Sequence, residues 1–139
     1  MAQDTELLEQ LNAALQTAYK VTFQYLQNSY MVKGLGRPSM VQWLRAQAQK
    51  EQQDAIRLGD KIVALGGVPT TEVPEITHFT QSAEILRESI GLEESSIRDY
   101  QTCIDLANER GDTSLRVLLE ELLANAENDL EEINKMLEE

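Results

Sequence analysis

Cysteine and histidine are nearly absent from this 139-residue chain, which has one of each. The lone Cys103 cannot close an intrachain disulfide, so a disulfide-stapled scaffold is excluded, and a reducing, cytoplasmic setting is expected. The lone His78 lies in an irregular stretch and reads as a loop residue. No zinc cluster, catalytic nucleophile, phosphate loop or EF-hand is present. Basic residues are also scarce. Twelve Lys and Arg against 24 Asp and Glu give a net charge of −12, which argues against nucleic acid and anionic membranes as partners and favours cations. No run approaches the roughly 18 apolar residues of a membrane span. The polar start "MAQDTELLEQ" lacks the basic and apolar segments of a signal peptide.

Glycine and proline, seven and three in number, cluster at three places and leave four long stretches with only isolated glycines inside them. From about Thr5 to Lys33, Leu8, Leu11, Leu15, Ala18, Thr22, Tyr25, Ser29 and Val32 recur at threes and fours, which is helical spacing. "GLGRPS" ends this helix, and Ser39 with Gln42 forms a capping-box pattern that would open the second. Helix two carries Met40, Leu44, Ala48, Glu51, Leu58, Ile62 and Leu65 on one face and stops at Gly66-Gly67. The stretch "VPTTEVPEITHFT" has no helical pattern and can cross the length of a bundle. Helix three runs from about Gln81 to Glu109 through Leu86, Ile90, Glu93, Ile97, Tyr100, Ile104 and Ala107. Helix four starts near Asp112 and uses Leu115, Leu119, Leu122, Ala126, Asp129, Ile133 and Met136. Helices of about 25–30 residues span roughly 40 Å at about 1.5 Å per residue. Two short links make two antiparallel hairpins, and the long link lets them run up-down-down-up. The predicted fold is all-α: one four-helix bundle over residues 1–139 with a single long crossover.

Acidic residues fall on the apolar faces. Glu51 sits between Ala48 and Ala55, with Asp54 one turn on beside Leu58. Glu93 lies between Ile90 and Ile97, and Asp129 lies among Leu122, Ala126 and Ile133. Four carboxylates are thus aimed inward from three helices. One buried, unpartnered carboxylate costs several kcal/mol. Cations, protons or buried donors must neutralise the group, and oxygen ligands suit Fe, Mn, Mg or Ca. The hairpins also echo each other. Tyr25 follows Ala18 by seven as Tyr100 follows Glu93, and Glu51/Asp54 is matched by Ala126/Asp129. Two equivalent half-sites meeting at the bundle centre are expected.

These residues carry a resemblance to the bacterioferritin branch of the ferritin-like superfamily. It covers nearly the whole chain, through "LNAALQTAYKVTFQYL", "EQQDAIRLGDKIVALGGVP" and "NDLEEINKML". The family pattern is a Glu on each of helices one and three and a Glu-x-x-His on each of helices two and four, holding two irons. Here the resemblance implies a metal set of Glu51, Asp54, Glu93 and Asp129, with Tyr25 and Tyr100 hydrogen-bonding behind them. The first-helix Glu position is Ala18, the helix-four Glu position is Ala126, and both His positions are Asp. The expected cofactor is therefore iron or another divalent metal on an oxygen-only site, with ferroxidase activity weak or lost and no catalytic residue assigned. The family's haem-ligating Met corresponds to Gln52, so no haem is expected. The chain stops soon after helix four, without the short fifth helix of ferritin shells. Antiparallel pairing through helices one and two implies a homodimer or larger homo-oligomer, with Trp43, Tyr19, Phe23 and Tyr30 as core flanks or dimer face. The alternative is a metal-free, non-enzymatic relative that serves assembly or binds a ferritin-like partner subunit.

Overall fold

A computed structural model describes residues 4–72 and 74–138. Residues 1–3 of the polar start, Val73 in the crossover and Glu139 lie outside the described residues. Four helices follow in order: α1 (Thr5–Met31), α2 (Arg37–Ala64), α3 (Ser82–Glu109) and α4 (Thr113–Leu137). Asp4 caps α1 and Asp112 caps α4, each carboxylate accepting from a backbone N–H three residues on, at Leu7 and Leu115, over 3.1 Å. Such caps satisfy donors that the first turn leaves open.

Helix α2 opens three residues earlier than the Ser39/Gln42 pattern predicts. Gly36 stands at its cap position, no side chain caps it, and a proline lies in its first turn. Pro38 has a pre-set helical φ and needs no N–H partner there. The same turn closes α1: the Arg37 guanidinium donates to the carbonyls of Val32 at 2.5 Å and Tyr30 at 3.3 Å. This clamp helps end α1 at Met31 rather than Lys33.

Helices α2 and α3 end alike. Gly66 and Gly111 take positive φ, and paired bonds close each end, Gly67 N to Ile62 O with Gly66 N to Val63 O, and Asp112 N to Ala107 O with Gly111 N to Asn108 O. This is the Schellman pattern, which favours glycine at the left-handed position. Gly67 is held by space, since a Cβ there would meet Leu8 Cδ2 at 2.8 Å.

The crossover is pinned along α1 by side-chain amides. Asn12 donates to Val68 O and accepts from Thr70 N. Gln24 makes the same two-way pairing with Thr77. Gly67 thus sits at the start of α1, and Ser82, within hydrogen-bond reach of Lys33, sits at its end. That places α3 antiparallel to α1, and Arg110 at the end of α3 pairs with Asp4. The order is up-down-down-up, with α1 packed on α2, α3 on α4, and α1 against α3.

The interior divides into two apolar clusters. One holds Leu11, Leu15, Leu58, Leu119 and Leu122; the other holds Val21, Leu44, Ile85 and Leu92. The inner face of α3 is turned by about one residue from the predicted stripe. Ile85, Ser89, Leu92, Ser96 and Cys103 are buried, whereas Leu86, Ile90, Ile97 and Ile104 are half-buried. Ser89 and Ser96 donate to the carbonyls of Ile85 and Leu92. Back-bonding inside the helix makes a serine as buriable as a small apolar residue, which a polarity pattern cannot register.

Candidate metal centre

Between the two apolar clusters the helices turn carboxylates inward. Glu51, Asp54, Glu93 and Asp129 are all buried, Glu93 fully. Oxygens of Glu51, Glu93 and Asp129 lie within 4.8 Å of one another. One comes from each of α2, α3 and α4, and α1 contributes Tyr25. Asp54 is buried one turn along α2 but is not part of this triad. Ala18 and Ala126 are buried and offer only methyl groups.

The three carboxylates are neutralised unequally. Tyr25 donates to Glu93 Oε1 at 2.7 Å, and its ring is held edge-on against Trp43. No hydrogen bond ties Tyr100 to the carboxylates among the described residues, although it is buried beside them. Lys50 donates to Asp129 Oδ1 at 2.8 Å. In the amide orientation that satisfies its neighbours, Gln47 donates to both Asp129 oxygens, at 3.1 and 3.0 Å. Asp129 thus has donors on both oxygens, while the Oε2 atoms of Glu51 and Glu93 are buried and have no partner.

Proton affinities follow from this. Burial raises Glu51 well above the carboxylate range, and the nearby charges of Glu93, Asp54 and Asp129 add to the effect. Burial also pushes Glu93 up to about 8, against the pull of the Tyr25 hydrogen bond. Asp54 rises to about 6, mainly by burial, with Arg57 pulling the other way. Asp129 is raised by burial and drawn back by Lys50. Desolvation followed by the neighbouring carboxylates keeps the Tyr25 phenol neutral.

Lys50 is the residue that helical spacing assigns to the wet side. Its Cα does face outward, but its four-carbon stem carries the amine to α4. Arg57, seven residues on, likewise reaches Glu121 on α4 at 2.7 Å. Basic residues seven apart at 50 and 57, opposite acidic residues eight apart at 121 and 129, were the signal available.

A bundle of four long helices with a buried acidic centre defines a class, and comparison with known proteins places the chain within it. The model of the ferritin-like domain matches residues 8–139, so the chain belongs to the ferritin-like domain family. Bacterioferritin BfrA of Mycobacterium tuberculosis is 25% identical over 139 residues, covering 99% of this chain and 87% of that protein. A nutrient stress-induced DNA-binding protein of a Nostoc species is 26% identical over 133 residues, covering 88% of this chain and 71% of the relative. Among solved structures, a ferritin-like, diiron-carboxylate protein of Bacillus anthracis superposes with a TM-score of 0.94 at 30% identity, covering 99% and 100% of the two chains. A dodecameric thioferritin of Bacteroides fragilis gives 0.88 at 23%, covering 96% and 84%, and supports the fold alone.

Proposed function

We propose that this is a ferritin-like protein that handles iron or another hard divalent cation at an oxygen-only centre formed by Glu51, Glu93 and Asp129, flanked by Asp54. One observation carries the reading: three buried carboxylate oxygens lie within 4.8 Å of one another, and two of those side chains leave a buried oxygen with no partner. A point among three such corners is at most ~2.8 Å from each, so a shift of a few tenths of an ångström reaches the 2.3–2.6 Å of calcium–oxygen bonds, and slightly more reaches those of smaller ions. The donor set fits one cation. It does not fit two, because Ala18 and Ala126 have no donor atom and no nitrogen ligand is present. A bound ion would supply Lewis acidity and charge neutralisation. Glu51, Glu93 and Asp129 would hold it, Tyr25 orients Glu93, and the apolar clusters on either side keep bulk water out. Oxygen-dependent iron oxidation of the two-iron type is weak or lost for want of the missing ligands.

The exposed apolar side chains of α1 and α2 support a homo-oligomer. Phe23, Ile56 and Val63 are 46%, 48% and 59% exposed and border a groove that also takes in Tyr19, Leu26 and Gln52. Among the described residues no helix is long and apolar enough to cross a membrane. A cytoplasmic setting fits the free Cys103. The DNA binding in the name of the Nostoc relative is not carried over to a chain of net charge −12.

Protein purified without chelator should carry metal by elemental analysis, and Mn(II) or Fe(II) should raise its melting temperature. Less than about a tenth of an equivalent together with no thermal shift would remove the reading. The metal-free alternative would then stand, and the pairing of both Asp129 oxygens by Lys50 and Gln47 is the observation that favours it.

A further inference from the structure

Counter-charge in this centre is lopsided. The one ammonium, Lys50, and the Gln47 amide both sit on Asp129, while Glu93 has only the neutral Tyr25 hydroxyl and both Glu51 and Glu93 keep an unpartnered oxygen. The Lys50 side chain is 49% exposed although its amine touches a carboxylate that is only 7% exposed. It therefore approaches the centre from solvent, along the α2–α4 edge, rather than being built into the core.

Resting on the metal-centre reading, we propose that Lys50 is a displaceable internal cation: its ammonium occupies the third corner of the triad until a divalent ion takes Asp129, and then swings out into water. The swing is sterically open, because half the side chain is already solvated and four rotatable bonds separate the amine from the backbone. Leaving does not strand a buried charge, since the incoming ion takes over the Asp129 carboxylate that Lys50 gives up. Staying is unfavourable, since an ammonium held a few ångströms from a divalent ion is repelled by it. Lys50 thus excludes weakly bound monovalent ions, keeps Asp129 paired in the empty centre, and lowers the apparent affinity for the divalent ion by the fraction of time it occupies the corner.

Two measurements on the full chain test this, with Mn(II) as the probe. The first is an electron paramagnetic resonance titration of free Mn(II) against wild type and Lys50→Met, which keeps the stem and removes the charge. The variant should bind at least about five-fold tighter. The second needs no variant. Reductive methylation of wild type, followed by peptide mass spectrometry, should modify Lys50 at least about three-fold faster with Mn(II) than with chelator, while the exposed Lys33 stays unchanged. Equal or weaker binding by the variant, or a Lys50 modification rate indifferent to Mn(II), overturns the displacement and leaves the metal centre standing. If neither protein binds Mn(II), the metal-centre reading itself fails and takes this proposal with it. Binding by the variant alone supports displacement.

Discussion

Glu93→Gln should make the metal-free protein more stable, and increasingly so as pH rises above about 4.5. The reason lies in what faces position 93: Tyr25 from α1, Glu51, Asp54 and Lys50 from α2, Tyr100 from its own helix and Asp129 from α4. Burial raises its carboxyl from 4.5 to about 8. The folded state therefore binds a proton that the unfolded chain has already released. The protonated group's contribution is complete below about 4.5 and is lost as pH rises towards and through about 8. At about 1.4 kcal/mol per pH unit the full shift corresponds to at most ~5 kcal/mol. Coupling to Glu51 and relaxation around the charge reduce this, and roughly 2 kcal/mol is a working value. Glutamine is an isostere of the protonated acid. It still accepts from Tyr25, and its amide can donate to Glu51. An unfolding entropy of ~2.1 cal/mol/K per residue converts 2 kcal/mol into about 7 °C for a chain of this length. Differential scanning calorimetry in chelator should show variant and wild type coinciding near pH 4.5 and separating by about 7 °C at pH 9. Asp54 titrates in both proteins and cancels. A constant gap across the range, or a variant less stable at pH 9, would refute the assignment of a neutral, desolvated Glu93.

Three further outcomes follow. The combined variant Ala18→Glu, Asp54→His, Ala126→Glu, Asp129→His should gain oxygen-dependent Fe(II) oxidation, read by absorbance and oxygen uptake. If it folds and stays inert, the half-sites have been placed wrongly. Phe23→Glu with Ile56→Glu puts two charges on exposed apolar positions of the α1–α2 face and should shift the protein to monomer in light-scattering chromatography, and an unchanged mass would remove that face from the interface. Asn12→Ala deletes the two-way pairing with Val68 and Thr70; about 1–2 kcal/mol should appear as a melting point lowered by roughly 3–7 °C, with earlier proteolysis of the crossover, and wild-type behaviour in both would show that the pin is dispensable.

Much of the bundle was legible because helical periodicity and paired glycines are local signals. The faces of α2 and α4 lie where Leu44, Leu58, Leu122 and Ile133 put them. The inward turn of Glu51, Glu93 and Asp129 follows from the same wheel. What was not legible depended on partners distant in sequence. Arg37 sets the α1–α2 corner by reaching carbonyls of the preceding helix, and no capping pattern encodes that. Ser89 and Ser96 are buried because their hydroxyls are satisfied within the helix, so composition placed the inner face of α3 one residue off. Lys50 reads as solvent-facing from its own helix and becomes part of the centre only through Asp129, 79 positions away. Asp54 shows the converse. It has the burial that the pattern predicts but stands outside the triad, because the wheel gives a side chain's direction and not its reach.

Charge balance ties these features together. Three ionised carboxylates and one ammonium leave the triad with two uncompensated negative charges. Two protons close that gap; a divalent ion that displaces Lys50 leaves a single negative charge, which one proton closes. Raised proton affinity at Glu51 and Glu93 and the open oxygens on the same residues are therefore two aspects of one deficit. Protons and a bound metal would compete for the same oxygens, since ligands must be deprotonated to bind. Low pH favours the empty, protonated bundle, and rising pH strips that stabilisation away. The stabilisation conferred by a bound ion is accordingly greatest where the empty centre is least stable.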